Sequence, residues 1–484
     1  MSLKQKTISG LFWSFIDQFA NLFISFIVGI ILARILTPRE FGLIGMTTIF
    51  IAISESFVNS GFSNALIRKN DATDADYSTV FYYNLVVGIL FYLILFFTAP
   101  LISNFFNESQ LTKIIKALGL IIIIDSFTII QRTILTKRID FKLQTRISII
   151  SSLGSGIIGI IMAFNGFGVW SLVVQRLSKQ ILNSFFLWIW NRWRPSLVFS
   201  IKSFKELFSF GSKLLISGLI DTIYIHVYKL IIGKFYSAQD LGYYTRAEEF
   251  KKLPSQTLTG VVGRVSYPIL SSIKDDTEKL KKNYKILIRS IMLITFVLML
   301  GMAACAEPLI ITLIGEKWRP SIVFLQLFCF EGMLYPLHAL NLNMLQVEGR
   351  SDLFLKLEII KKLLAAPIII IGIFLGIKIM LIGMILISFI AYFINSYWSG
   401  RFIGYSSKEQ IIDILPSFGV ASLMAILVFL LNIILPFNYV TKLIIQLVVG
   451  AAFVIIFCEL TKFRDYLFIK DIVIDKIKEI KKNN

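Results

Sequence analysis

The chain has 484 residues, of which 56% are apolar and 16% charged, with a mean hydropathy of +0.76. Soluble domains carry about 45–50% apolar and about 25% charged residues, and a water-soluble fold of this length could not bury the surplus Ile, Leu and Phe. The composition excludes a soluble enzyme and a large catalytic head; it describes an integral membrane protein. The net charge of +19 then needs its own explanation.

Apolar runs long enough to cross hydrocarbon, about 20 residues each, recur from end to end. They predict fourteen transmembrane helices. The first, residues 11–33, follows a short basic start and is too long for the apolar core of a secretory signal, so it reads as a retained helix. Next come 41–60, 80–102, 111–130, 147–165 and 167–190. The second half supplies 207–232, 241–270, 284–304, 321–347, 354–376 and 380–400, followed by 411–435 and 440–460. The run 241–270 is the least apolar of them. After Lys462, the residues Ile469, Ile472, Val473, Ile477 and Ile480 recur among lysines. That spacing predicts a basic amphipathic helix on an anionic leaflet, against the plainer reading of a solvated tail.

Lys and Arg set the orientation. With the N-terminus placed in the cytoplasm, the inner segments hold roughly three times as many Lys and Arg as the outer ones, the bias that orients membrane proteins. Both termini are then cytoplasmic, and the membrane is the cytoplasmic (inner) one. Most of the positive charge is topological, so a nucleic-acid partner loses its support. Five tryptophans fall at inner ends of spans and two, Trp170 and Trp318, at outer ends, as interfacial anchors do.

No phosphate-binding loop, zinc-protease helix or serine-hydrolase elbow occurs. Cys305, Cys329 and Cys458 lie in or beside apolar runs without metal-ligand spacing. His226 and His338 are too few for a His-based metal site and read as packed or hydrogen-bonded side chains. No cofactor and no metal are expected.

An internal repeat organises the chain. ILARILTPREFGLIGM begins at Ile31, and two hundred residues later IIGKFYSAQDLGYYTR begins at Ile231. Gly42 matches Gly242, Arg34 matches Lys234 and Glu40 matches Asp240. Repeats within a membrane protein point to a transporter, and copies of the same orientation to two bundles related by an axis along the membrane normal. The expected organisation is a bundle over residues 1–193, a second over 202–400, two additional helices over 411–460 and the tail over 461–484.

Several stretches carry a resemblance. GLFWSFIDQFANLFISFIVGIILARILTPREFGLIGM resembles the opening of bacterial polysaccharide flippases of the Wzx/WzxC type, in the multidrug/oligosaccharidyl-lipid/polysaccharide exporter superfamily. ALIRKNDATDADYSTVFYYN, LTKRIDFK and LGYYTRAEEFKKLPSQTLTGVVGRVSYPILSSIKDD are similar to the same family. The resemblance implies an all-α membrane fold with two six-helix bundles around a central cavity and two extra C-terminal helices. It also implies alternating access that carries a polyprenyl-pyrophosphate-linked oligosaccharide to the outer leaflet, for O-antigen, capsule or exopolysaccharide. Membrane lipids and polysaccharide polymerase or export machinery are the implied partners.

An anionic head group needs cations on its path, and ionisable residues within spans are functional candidates by default. Arg176 and Lys179 lie three apart on one face near the middle of 167–190, with Asn183. They read as cavity cations or as partners of a neighbouring helix's carboxylate. Arg264, between Gly263 and Pro268, and Arg246 are the corresponding residues of the second half. Glu248 and Lys252 form an i,i+4 pair, which reads as local neutralisation on a helix facing water. The acidic candidates are Asp17, Glu55, Asp125, Asp221 and Glu331. Asp17 and Asp221 occupy comparable places in the two copies; with Glu55 and Glu331 they are the candidates for coupling to Na⁺ or a proton, or they make helix–helix contacts. Glu331, beside Gly332 and near Pro336, marks a candidate bend. The pair Gly372 and Gly376 would permit close helix packing.

Two other functions compete. An ion-coupled multidrug exporter of the same superfamily shares the fold, although Arg176, Lys179 and Arg264 oppose cationic cargo if they face the cavity. A membrane-embedded polymerase or glycosyltransferase needs a sizeable extramembrane loop, and the outer loops are too short to supply one. The chain therefore reads as a transporter and not an enzyme.

Overall fold

The computed structural model describes the backbone of residues 3–483. The side chains of 3–8, 11, 261, 264, 265, 268, 269, 351, 473, 476, 477 and 479–483 lie outside the described residues. All secondary structure among the described residues is helical. The chain divides into two compact units, Met1–Thr245 and Arg246–Asn484.

The first unit holds α1 (Leu3–Ile35), α2 (Pro38–Asn59), α3 (Phe62–Arg68), α4 (Asp74–Phe106), α5 (Leu111–Ser126), α6 (Ile129–Lys137), α7 (Phe141–Phe164), α8 (Val169–Trp190) and α9 (Ile201–Phe235). It also holds the first turns of α10 (Ala238–Ser272). Local chemistry sets these boundaries. Thr37 and Glu40 close a capping box at the start of α2, where Pro38 occupies a first-turn position that needs no amide donor. Thr73 and Asp76 do the same for α4: the Asp76 amide donates to Thr73 Oγ1 at 3.3 Å and the Thr73 amide to Asp76 Oδ2 at 2.8 Å. α1 packs along α7, α7 along α8, and α4 along α5. Near the α3–α4 connection the core gathers Phe62, Leu66, Phe81, Ile130, Ile134 and Leu207. The outer faces carry bare hydrocarbon: Phe97 is 73% exposed and Leu101 67%, the pattern of a helix whose solvent is lipid.

The second unit continues α10 from Arg246 and adds α11 (Thr277–Ala304), α12 (Ala306–Ile314), α13 (Ser321–Gly332), α14 (Tyr335–Val347), α15 (Ser351–Leu375), α16 (Ile377–Ile403), α17 (Ser407–Ile434), α18 (Tyr439–Leu460) and α19 (Arg464–Asn483). α11 packs along α17, while α13 and α14 together lie against α16. The amphipathic α19 is pinned at its start. Arg289 Nε of α11 donates to Asp465 Oδ1 at 2.9 Å, and the Ser417 hydroxyl of α17 lies 3.4 Å from Asp465 Oδ2. Burial pushes the Asp465 carboxyl above its ordinary range, and Arg289 pulls it back.

Ten helices among the described residues are long and apolar enough to cross a membrane, or eleven with the bent pair α5–α6. The protein is a multi-pass membrane protein. The remaining three expected spans fall on α8, α10 and α15, of 22, 35 and 25 residues. At 1.5 Å per residue these are membrane-length helices, but they carry charge along their length.

Three details differ from the sequence reading, and a fourth, the break in 321–347, falls at the bend expected beside Glu331. The run 111–130 is not one straight helix: α5 and α6 meet at 40°. There the Thr128 hydroxyl donates to the Asp125 carbonyl at 2.8 Å and competes with the helical ladder. The run 321–347 is interrupted between Gly332 and Tyr335, at the Gly332–Pro336 segment. The short α12 occupies the connection after 304, where no helix was expected. Gly376 is not a packing residue; it has φ of +105° in the α15–α16 turn, and nothing lies near the position of a side chain. Gly372 does pack, since a Cβ there would stand 2.6 Å from Met380 Cβ.

A joint within the first unit reproduces the 200-residue spacing. A Cβ on Gly42 of α2 would stand 1.5 Å from the Ala238 carbonyl oxygen at the start of α10. A Cβ on Gly242 of α10 would stand 1.9 Å from the Pro38 carbonyl oxygen at the start of α2. Each glycine meets the position 200 residues removed from the other's partner, so the contact is reciprocal, as in a two-fold interface. Both helices begin after the same interruption, at residues 36–37 and 236–237. The second copy also keeps a side-chain cap, with the Ser237 hydroxyl 2.6 Å from Asp240 Oδ2.

Candidate functional site

In the first unit, helix packing converts scattered ionisable residues into one polar interior. α8 carries Arg176 and Lys179 on one face, both half-buried. Glu55 of α2 has Asp125 of α5, Arg176 and Arg132 of α6 as its charged neighbours. Lys179 has Asp17 of α1 and again Arg132. Lys179 forms no salt bridge among the described residues. The carboxylates are held by neutral donors: Gln180 Nε2 donates to Asp125 Oδ1 at 2.6 Å, and the Thr128 hydroxyl to the same oxygen at 3.0 Å. Asn21 Nδ2 donates to Asp17 Oδ1 at 2.9 Å and lies 2.6 Å from the Ser148 hydroxyl. Ser152, one turn further along α7, donates to Asn21 Oδ1 at 2.5 Å.

Arg132, Gln180, Asn21, Ser148 and Ser152 were missed by the sequence reading, which weighed ionisable residues inside spans and counted Arg132 as a loop residue. A signal existed for Gln180: with Gln175, Arg176, Lys179 and Asn183 it makes α8 polar over most of its middle. Asp221 lies exposed on α9, next to Thr222, whose hydroxyl meets that of Ser56 at 3.1 Å.

The second unit treats its charges differently. Arg246 has Glu249 and Glu248 as its charged neighbours. Lys252 bridges both carboxylates, at 3.3 Å to Glu248 and 2.8 Å to Glu249, the local neutralisation that the i,i+4 spacing indicates. Lys251, its neighbour in sequence, leaves α10 altogether and meets Glu331 of α13 at 2.8 Å in the buried interior. The side chain of Arg264 lies outside the described residues. His338 Nε2 stands 3.0 Å from the Ser388 hydroxyl, a packed and hydrogen-bonded histidine. The three cysteines are buried as free thiols. No group of three His, Cys, Asp or Glu suited to a metal ion occurs among the described residues.

The multi-pass helical fold, with ionisable residues clustered inside its first unit, is that of a membrane transporter. The chain belongs to the family described as polysaccharide biosynthesis protein, whose profile matches residues 31–323. It is 27% identical over 378 residues to the lipopolysaccharide biosynthesis protein WzxC of Escherichia coli, covering 77% of this chain and 76% of that one. It is 25% identical over 354 residues to the teichuronic acid biosynthesis protein TuaB of Bacillus subtilis, covering 73% of each. Among solved structures, the lipid II flippase MurJ in an inward closed conformation aligns with a TM-score of 0.74 at 17% identity, over 95% of this chain and 100% of that one. An inward-facing multidrug resistance MATE transporter of the MOP superfamily aligns with a TM-score of 0.63 at 16% identity, over 80% and 94%. These likenesses place the fold among transporters and flippases and not among enzymes.

Proposed function

We propose that the protein is a flippase that moves a polyprenyl-pyrophosphate-linked oligosaccharide from the inner to the outer leaflet by alternating access. The observation that carries this reading is the α8 pair. Arg176 and Lys179 sit half-buried near the middle of a membrane-length helix, and Lys179 has no salt bridge among the described residues. A half-buried cation at membrane depth that no salt bridge neutralises is costly, and an anionic cargo is the group that offsets it. The names of WzxC and TuaB point to cell-surface polysaccharide as the end product.

The same reading orders the rest of the chain. α8, α10 and α15 complete fourteen spans, and each is polar as a helix that faces water rather than lipid is. The termini are cytoplasmic, the membrane is the inner one, and α19 rests on its anionic leaflet. The Gly42–Gly242 joint supports two six-helix bundles in parallel repeat, 1–193 and 202–400, with 411–460 appended. Asp17, Glu55 and Asp221 are the positions for coupling to Na⁺ or a proton, and Arg246 and Arg264 extend the cationic path.

The test is the lipid-linked glycan content of cells lacking the protein. The intermediate builds up on the inner leaflet, wild type relieves it, and Arg176→Ala/Lys179→Ala does not. Equal rescue by both would move the cargo site elsewhere. A change in small-molecule efflux with no accumulated glycan would replace the flippase by the multidrug exporter.

A further inference from the structure

Lys251 and Glu331 are 80 residues apart in sequence and join α10 to α13 with both side chains almost fully buried, 5% and 6% exposed. The ammonium is caged on several sides. Its Nζ lies 2.8 Å from Glu331 Oε2, 3.4 Å from the Tyr335 hydroxyl, 4.7 Å from the centre of the Phe328 ring and 4.9 Å from that of Tyr335. The other Glu331 oxygen accepts the Tyr335 hydroxyl. The cage stands where the span breaks, because α13 ends at Gly332 and α14 starts at Tyr335. Gly332 makes room for the lysine stem: a Cβ there would stand 2.9 Å from Lys251 Cδ. Ser388 of α16 donates to the Glu331 carbonyl at 3.3 Å, which occupies a backbone acceptor at the break.

One carboxylate, one phenol oxygen and two aromatic faces are ligands for a single positive charge. Aromatic faces attract ammonium and alkali-like cations. Divalent Ca²⁺ or Mg²⁺ requires six or more oxygens, which this cage lacks. The lysine is tethered, so it reaches the carboxylate without the entropy cost of capturing a dissolved ion. We propose that Glu331, Tyr335 and Phe328 form a monovalent-cation site of the second unit whose permanent occupant is the Lys251 ammonium. The counter-ion of Glu331 is thus built into the chain. Glu331 exchanges no ion in the native protein, and any ion coupling falls to the carboxylates of the first unit. The broken span α13–α14 is held to α10 by this internal cation.

The experiment is thermal unfolding of the purified full chain in detergent, with N-methylglucamine chloride replaced by sodium chloride or n-propylammonium chloride. Propylammonium is the part of lysine that Lys251→Ala deletes. Lys251→Ala melts lower than wild type, and either small cation raises its Tm saturably by about 1.5 °C at roughly ten times the dissociation constant. Lys251→Ala/Glu331→Gln shows no such gain. The gain is the difference between these two variants, so ions bound elsewhere cancel. Should Lys251→Ala not purify, Lys251→Gln paired with Lys251→Gln/Glu331→Gln gives the same comparison with Na⁺. A single variant that ignores both cations, or a double variant that gains as much as the single one, overturns the proposal. So does a wild-type gain that Glu331→Gln abolishes. Unfolding needs no transport, so the outcome is separate from the flippase reading.

Discussion

The two units hold the charges on their helices in different ways. In the first, Asp17 and Asp125 are steadied by the neutral groups Asn21, Gln180 and Thr128, and Lys179 beside them forms no salt bridge among the described residues. In the second, Lys251 is committed to Glu331, Lys252 to Glu248 and Glu249, Lys285 to Asp413 and Arg289 to Asp465. An ammonium already bonded to a buried carboxylate cannot also be the main counter-charge of a phosphate, because parting them strands a charge in low dielectric. A carboxylate held by amides and hydroxyls leaves its neighbouring lysine able to meet an anion. The difference teaches that counting cations in spans does not locate a cargo site; their prior commitments do.

That contrast can be broken in several places. Glu331→Gln leaves Lys251 buried without its partner and should cost about 3–5 kcal/mol in thermal unfolding; a loss below about 1 kcal/mol would mean that the pair is not the second unit's fastening. Arg176→Ala/Lys179→Ala should reduce transport on the order of 100-fold through two lost charge-assisted contacts, with little change in melting. A large drop in melting temperature would show that these cations are structural, and the two units alike. Gly42→Ala forces a Cβ against the Ala238 carbonyl and should cost about 2–3 kcal/mol, well above Gly45→Ala, whose Cβ would meet side-chain atoms of Leu241 at 3.1 Å and Thr245 at 3.3 Å and no neighbouring backbone. Equal losses at the two glycines would remove the joint from the account.

Asp465→Asn weakens the hold of Arg289 on α19, at about 1.5 kcal/mol for a charge-assisted bond. Limited proteolysis should then cut the tail faster while the membrane helices stay protected. The smallest effect is expected of Glu249→Gln, about 0.5 kcal/mol, because that carboxylate is 42% exposed and Lys252 keeps Glu248. A loss as large as that of Glu331→Gln would erase the distinction between caged and solvated pairs within the second unit.

Much of this was legible in the sequence where the physics is local. Hydrocarbon demands long apolar runs with their backbone groups satisfied internally, so residence in the membrane and most helix positions follow from composition and period. Thr37, Pro38 and Glu40 announce a helix start because a cap depends on neighbours three residues away. The 200-residue spacing is visible because the two stretches place a basic residue, an acidic residue and a glycine at matched positions, and the helix interruptions at 36–37 and 236–237 keep the same spacing. The i,i+4 pair Glu248–Lys252 is legible for the same reason.

What the tertiary structure alone decided is who meets whom. Lys251 and Lys252 are adjacent and chemically identical, yet a helix turns successive residues by about 100°. One therefore reaches Glu331 across a packed interface and the other stays with its own helix. Gln180 finds Asp125 from 55 residues away because α8 lies along α5. Gly42 and Gly242 reveal their purpose only when two helix starts press together, and Gly376 only when its backbone is seen to turn. Helical period tells which face a side chain occupies. Its partner depends on which neighbour packs against that face and at what height, and those are set by the whole fold.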